Sequence, residues 1–255
     1  MDGPNFNLAG RVALLTGAGR GIGLGMAQAL AAHGAAVAIQ DIEPAVARAE
    51  ADRVNAAGGR AIALGGDMGD LAVVEGLVPQ VVEQLGGLHV LVNNAAIQRN
   101  EHWLDVAPAD AERQWRVNLT AVLVLCQRAA PIFKAQRWGR IINLSSIQAR
   151  RPNPTMLPYS MSKAGIEHIT TALARDLAAD NVTVNAIAPG WVDTWRNRGD
   201  LDWARDNPDA FKKAVPLGRI GQPTDFGGVA VLLCSAAGDY ITGQTIGIDG
   251  GMSAR

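Results

Sequence analysis

The chain has 255 residues, 48% of them hydrophobic, and a formal net charge of -1 at neutral pH. That length and apolar share suit one large α/β unit with a well-buried core. Balanced charge without clustered Lys or Arg argues against nucleic acid or an anionic membrane as partner, and no apolar stretch is long enough to span a bilayer.

Short apolar runs alternate with helical patterns from end to end, which signals βαβ units and a parallel sheet. Strands are expected near 11–16, 35–41, 60–66, 88–93, 139–146, 181–187 and 244–248. Helices are expected near 21–33, 44–57, 70–85, 109–136, 156–179 and 223–236. Pro131 falls inside the fifth helical pattern and should kink or shorten it. The one long irregular segment is 191–222, rich in Trp, Arg, Asn and Asp; long loops inside compact domains are usually functional. No linker, composition break or internal repeat divides the chain, so 1–255 reads as a single domain. The fold class expected is α/β: a doubly wound, mostly parallel seven-stranded sheet with helices on both faces.

The first strand, Arg11-Val-Ala-Leu-Leu-Thr16, runs into Gly17-Ala-Gly-Arg-Gly21-Ile-Gly23 and then a helical pattern. Glycines there let the backbone approach a pyrophosphate resting on the helix N-terminus. The spacing is G-x-x-x-G-x-G through Gly17, Gly21 and Gly23, because Ile22 occupies the last position of the commoner G-x-G-x-x-G. No Lys-Ser or Lys-Thr follows, which excludes a Walker phosphate loop. Taken alone, such a cluster also fits an ordinary strand-to-helix turn. Asp41 ends the second strand, where a carboxylate can accept bonds from the adenosine ribose hydroxyls. A 2′-phosphate there would meet a repulsion on the order of 4 kcal/mol per unit charge. Arg20 could instead welcome that phosphate, pair with Asp41 or face solvent. The cofactor expected is NAD rather than NADP.

Tyr159 and Lys163 sit four apart, with Ser146 thirteen residues before the tyrosine, in a chain with only two tyrosines. On a helix, residues four apart share one face. A tyrosine ordinarily titrates near 10, so proton carriage near neutrality needs its pKa to fall by about 3, worth about 4 kcal/mol. A lysine cation close by, with a cationic nicotinamide ring, can supply that. Cys126 and Cys234 lie in apolar helical runs and read as buried thiols. His33, His89, His102 and His168 lack metal-binding spacing, so no metal is expected. The segment Met1-Asp-Gly-Pro-Asn shows no basic-then-apolar leader, and the expected location is cytoplasmic.

Together these residues resemble the short-chain dehydrogenase/reductase superfamily, in its single-domain branch of about 250 residues. The resemblance runs through Thr16-Gly-x-x-x-Gly-x-Gly23, Asp67, Asn93-Asn-Ala95, Asn118, Ser146, Tyr159 with Lys163, Pro189-Gly190 with Thr194, and Asp249-Gly-Gly251. It implies a Rossmann-like dinucleotide-binding and catalytic domain that moves a hydride between a secondary alcohol and nicotinamide. Tyr159 would exchange the proton, Lys163 would lower its pKa and hold the nicotinamide ribose, and Ser146 would bond the substrate oxygen. The serine spacing favours Ser146 over Ser145. Asn118 would hold a water linking Lys163 to solvent, and Thr194 would bond the carboxamide. Cofactor contacts are expected from Gly17, Arg20, Gly21, Ile22, Gly23, Asp41, Asp67, Met68, Asn94, Ala95, Tyr159, Lys163, Pro189, Gly190, Val192 and Thr194. Segment 191–222 takes the place of the family's substrate lid. Two positions depart from the pattern: Ala96 replaces the usual glycine, and His89 stands where an acid is frequent, both near the family's adenine side.

For the substrate, contacts are expected from Ser146, Gln148, Arg150, Tyr159, Trp191 and Arg196. Aromatic faces interleaved with hydrogen-bond donors suit a sugar, sugar acid or small hydroxy acid better than a steroid or acyl chain. Two other readings keep the fold: an NADPH-dependent carbonyl or 3-oxoacyl thioester reductase, and a catalytically silent cofactor-sensing protein. The resemblance also implies a homotetramer joined through the helices at 109–136 and 156–179, with a small-molecule substrate as the only other partner.

Overall fold

Short runs rich in Val, Ile, Leu and Ala make the strands; all but the two at the ends of the sheet are buried on both faces, and such strands belong in a parallel sheet. In the computed structural model, which describes residues 5–195 and 198–254, the strands are β1 (Val12–Leu15), β2 (Ala36–Asp41), β3 (Arg60–Gly65), β4 (Val90–Asn93), β5 (Gly139–Leu144), β6 (Val182–Pro189) and β7 (Thr245–Ile248). All pair in parallel, in the order β3-β2-β1-β4-β5-β6-β7. The order reverses between β1 and β4, and a crevice opens at the carboxyl ends there.

The helices are α1 (Gly21–Ala32), α2 (Pro44–Ala56), α3 (Leu71–Leu85), α4 (Pro108–Trp115), α5 (Ala121–Gln136), α6 (Leu157–Leu177), α7 (Arg198–Asp206), α8 (Pro208–Ala214) and α9 (Gly227–Cys234). One core packs α3, α5 and α6 on the sheet through Leu77, Leu125, Phe133 and Ile166. The other packs α1, α2 and α9 through Met26, Leu30, Ala47 and Val231. Each large apolar side chain buried this way contributes about 1.5–3 kcal/mol. Cys126 and Cys234 sit one in each core, and burial pushes both thiols up to about 12. Among the described residues no helix is long and apolar enough to cross a membrane.

Three local expectations are corrected. The helix expected over 109–136 is interrupted by a π-helical turn at Arg116–Thr120, a feature that often marks functional sites. Pro131 does not shorten α5, which continues to Gln136. Its position and that of Gln127 are exposed, so water can satisfy the carbonyl left without an N–H. Segment 191–222 is not irregular throughout, since it carries α7 and α8. There Trp191 stacks on Phe211 at 5.7 Å and meets the edge of Trp203 at 5.4 Å, a small core of its own.

Candidate active site

The crevice is a cleft of about 320 Å³, within the usual size of small-molecule sites. Its floor begins where β1 ends. Gly17 adopts φ +58, and a Cβ there would stand 2.8 Å from Ala95 Cα, so only glycine lets the turns after β1 and β4 touch. The Thr16 hydroxyl accepts from the N–H groups of Asn94 and Ala95, both at 3.1 Å. The Asn94 amide returns bonds to the carbonyls of Thr16 and Gly17 at 2.9 and 2.8 Å. Helix α1 starts at Gly21, so its unpaired N–H groups face the cleft, where an anionic pyrophosphate is favoured.

Gly23 does not line the cleft. A Cβ on it would come within 2.5 Å of the Asn94 amide nitrogen and 2.8 Å of the Gly17 carbonyl. Its role is packing under the loop. Gly23→Ala is expected to displace the Asn94 latch and cost stability at the low end of the ~1–3 kcal/mol typical of overpacking. Thermal unfolding with and without NADH would check it, with the larger loss expected in the presence of cofactor.

At one end of the cleft Asp41, 5% exposed, accepts from the Gly19 N–H at 3.2 Å and the Glu43 N–H at 3.1 Å. Arg20 is taken up by Glu43 at 2.6 Å and lies 5.5 Å from the Trp195 ring centre. Asp41 is not its partner, and the pair remains partly open to solvent. Beyond β3, Asp67 pairs with Arg113 of α4 at 2.5 Å and accepts from the Gly69 N–H at 2.8 Å. The Arg113 hydrogen bond holds the Asp67 carboxyl below its ordinary range, so it presents a fixed anion beside Met68.

At the other end α6 presents Tyr159 and Lys163. Lys163, 3% exposed, donates to the Leu144 carbonyl at 2.5 Å, and its Nζ is 5.5 Å from the centre of the Tyr159 ring. Ser146 caps the turn after β5, its Oγ accepting from the Gln148 N–H at 3.2 Å. Ser145 also borders the cleft, but its hydroxyl is directed at Glu167 and the Lys163 carbonyl. Asn118 lies on the π turn and does not line the cleft. Its amide bonds both the N–H and the carbonyl of Ile97 at 2.8 Å and reaches Ser162 Oγ at 3.3 Å. Thr194 crosses the opening, and a Cβ added to Gly21 would be 3.3 Å from its Cγ2.

The cleft therefore gathers Gly17, Arg20, Gly21, Ile22, Asp41, Asp67, Met68, Asn94, Ala95, Ser146, Gln148, Tyr159, Lys163, Pro189, Gly190, Trp191, Val192 and Thr194. Arg150 is not among them. It points outward and pairs with Glu167 at 3.0 Å. Arg196, expected to touch substrate, lies outside the described residues. His89 is also displaced from its expected place. It sits before β4, at the sheet edge opposite the cleft, where its Nδ1 accepts from the Val12 N–H at 3.1 Å. Ala96 does line the cleft. Sequence reasoning missed Glu43, Gln98 and Arg113 on the walls, while Trp195, on the segment read as a lid, lines the cleft too. Glu43, two residues past Asp41, could have been found from that spacing. The contact of Arg113 with Asp67 spans 46 positions and leaves no local signal.

The family described as Enoyl-(Acyl carrier protein) reductase matches residues 17–253. The chain is similar to galactitol 2-dehydrogenase of Agrobacterium fabrum, 40% identical over 96% of this chain and 98% of that one. It is similar to 3-oxoacyl-[acyl-carrier-protein] reductase FabG of Aquifex aeolicus, 35% identical over 97% and 99%. Among solved structures it is similar to a gluconate 5-dehydrogenase from Burkholderia cenocepacia in complex with NADP and tartrate, with TM-score 0.93 and 36% identity over 99% of this chain and 98% of that one. These relatives are named for redox reactions, and the matches cover nearly the whole of each chain. The chain belongs to the short-chain dehydrogenase/reductase superfamily and is an oxidoreductase acting on secondary alcohols, that is, on CH–OH donors.

Proposed function

We propose that the enzyme is an NAD-dependent dehydrogenase of a small polyhydroxylated substrate: a sugar, a sugar acid or a hydroxy acid. The observation that carries the cofactor choice is the pair of carboxylates at one end of the cleft. Asp41 is buried and pinned by two backbone N–H groups, while Glu43 pairs with Arg20, the arginine inside the glycine loop that could meet a 2′-phosphate. The substrate class is supported by Gln98, Gln148 and Trp191 on the cleft walls and by relatives named for galactitol and gluconate.

The glycine loop, the α1 N-terminus and Asp41 would hold the dinucleotide, and bound nicotinamide supplies the hydride acceptor. Tyr159 takes the alcohol proton. Lys163, its cation buried beside the ring, favours the phenolate that does so. Ser146 donates to the substrate oxygen and steadies the charge that develops there. Segment 191–222 acts as the lid that excludes water. Leu123 on α5 and Met161 on α6 are exposed apolar side chains on the helices expected to join a homotetramer, and they support that assembly.

Fluorescence titration with NADH and NADPH, followed by NAD reduction across polyols, aldoses, aldonates and steroids, tests the reading. Tighter NADH binding and faster turnover of polyols or aldonates than of steroids is the expected result. Preference for NADPH with 3-oxoacyl thioesters would replace it by the reductase alternative.

A further inference from the structure

Helix α6 carries a third group in register with its two chemical ones. Tyr159, Lys163 and Glu167 follow each other at spacings of four, so all three lie along one face. Glu167 has no place in the proton or hydride path. Its side chain is only 17% exposed, yet it has two partners on the turn that carries Ser146. Oε1 accepts from Ser145 Oγ at 3.2 Å, and Oε2 accepts from Arg150 Nε at 3.0 Å. Ser145 lies immediately before the serine, and Arg150 follows the short 3₁₀ turn Ile147–Ala149. One carboxylate therefore holds both ends of residues 146–149.

We propose that Glu167 is a positioning residue, a carboxylate strap that fixes Ser146 against Tyr159 and Lys163. This rests on the reading of Ser146 as the donor to the substrate oxygen. The turn after β5 is also held by the Ser145 N–H to the Ile187 carbonyl at 2.8 Å and by Lys163 to the Leu144 carbonyl, but Glu167 is the α6 side chain that engages residues on both sides of 146–149. Among the described residues, Ser146 Oγ is engaged only with the Gln148 N–H inside the turn itself. The Ser145 hydroxyl also lies 3.3 Å from the Lys163 carbonyl, which adds a contact to the same helix. Because the strap and the acid–base pair share one rigid helix, the distance between serine and tyrosine is set through Glu167. Productive geometry tolerates errors of only about 0.5 Å. The strap also gives Arg150 a role, since its guanidinium grips the helix instead of lining the cleft.

In the full-length enzyme, with galactitol or D-gluconate as the alcohol, Glu167→Ala is expected to lower kcat about tenfold, less than the hundredfold that a 1 Å misplacement can cost. NADH affinity and the KM for NAD are expected to stay within about twofold. Arg150→Glu and Glu167→Arg should each lose a similar share of kcat. The double charge reversal restores opposite charges and offers the Ser145 hydroxyl a donor in place of an acceptor, so it should recover most of the wild-type rate. A lower melting temperature with kcat unchanged well below it, in all these single and double variants, would make the pair merely structural and overturn the proposal. Ser146→Ala separates the two possible failures. If it leaves kcat intact, the reading of Ser146 is at fault; if it is damaging while Glu167→Ala is silent, the strap is wrong. A crystal structure of the Glu167→Ala variant tests the strap without turnover, because residues 146–149 found in place would overturn the proposal and a displaced turn would support it.

Discussion

Tyr159→Phe is expected to lower turnover at least a hundredfold while NADH binding stays near normal. The phenol is the group proposed to exchange the alcohol proton, and general acid–base catalysis typically supplies about 10²–10⁴ in rate. A hundredfold loss corresponds to about 2.7 kcal/mol of the activation barrier. Phenylalanine keeps the ring, which is 8% exposed on α6, so packing should survive and the loss should fall on kcat. Lys163→Ala should behave differently. It removes a buried cation and leaves the Leu144 carbonyl without its donor, so both turnover and cofactor affinity should fall. Steady-state kinetics with parallel NADH titration distinguishes the two patterns. Turnover of Tyr159→Phe within threefold of wild type would remove the tyrosine from its role.

The fold was legible because its inner strands are short apolar runs buried on both faces, which leave little choice but a parallel sheet. The residues of the proposed cofactor cradle were legible too: Gly17 and Gly21 take the positive φ that the turn after β1 requires, and both line the cleft with Asp41. What stayed hidden depends on tertiary contact. A π turn has the apolar pattern of an α-helix, so the break at Arg116–Thr120 carried no periodic signal. Helices α7 and α8 are short and polar, and their aromatic side chains, Trp203 and Phe211, meet Trp191 only in three dimensions. Arg150 follows Ser146 closely, but nothing local says which way a loop side chain turns. The acceptor that turned it outward is Glu167, 17 positions away.

Replacing Asp41 by alanine is expected to move the cofactor preference toward NADP by about 1–3 kcal/mol, the scale of losing hydrogen bonds to a charged group. Both carboxylate oxygens are fixed, one by the Gly19 N–H and the other by the Glu43 N–H. The group cannot swing aside to admit a phosphate, so the repulsion would be felt in full. Alanine removes that charge and the acceptors for the ribose hydroxyls together, weakening NAD and relieving NADP. It should not complete the switch. Arg20 remains held by Glu43 at 2.6 Å, and that second carboxylate stays near the same position. Adding Glu43→Gln to Asp41→Ala should release the guanidinium for the phosphate and move the preference further than either change alone. Binding constants for NADH and NADPH across the four proteins would show it. An NAD/NADP ratio unchanged by Asp41→Ala would mean that the arginine or another wall of the cleft sets the choice, and that the buried carboxylate does not.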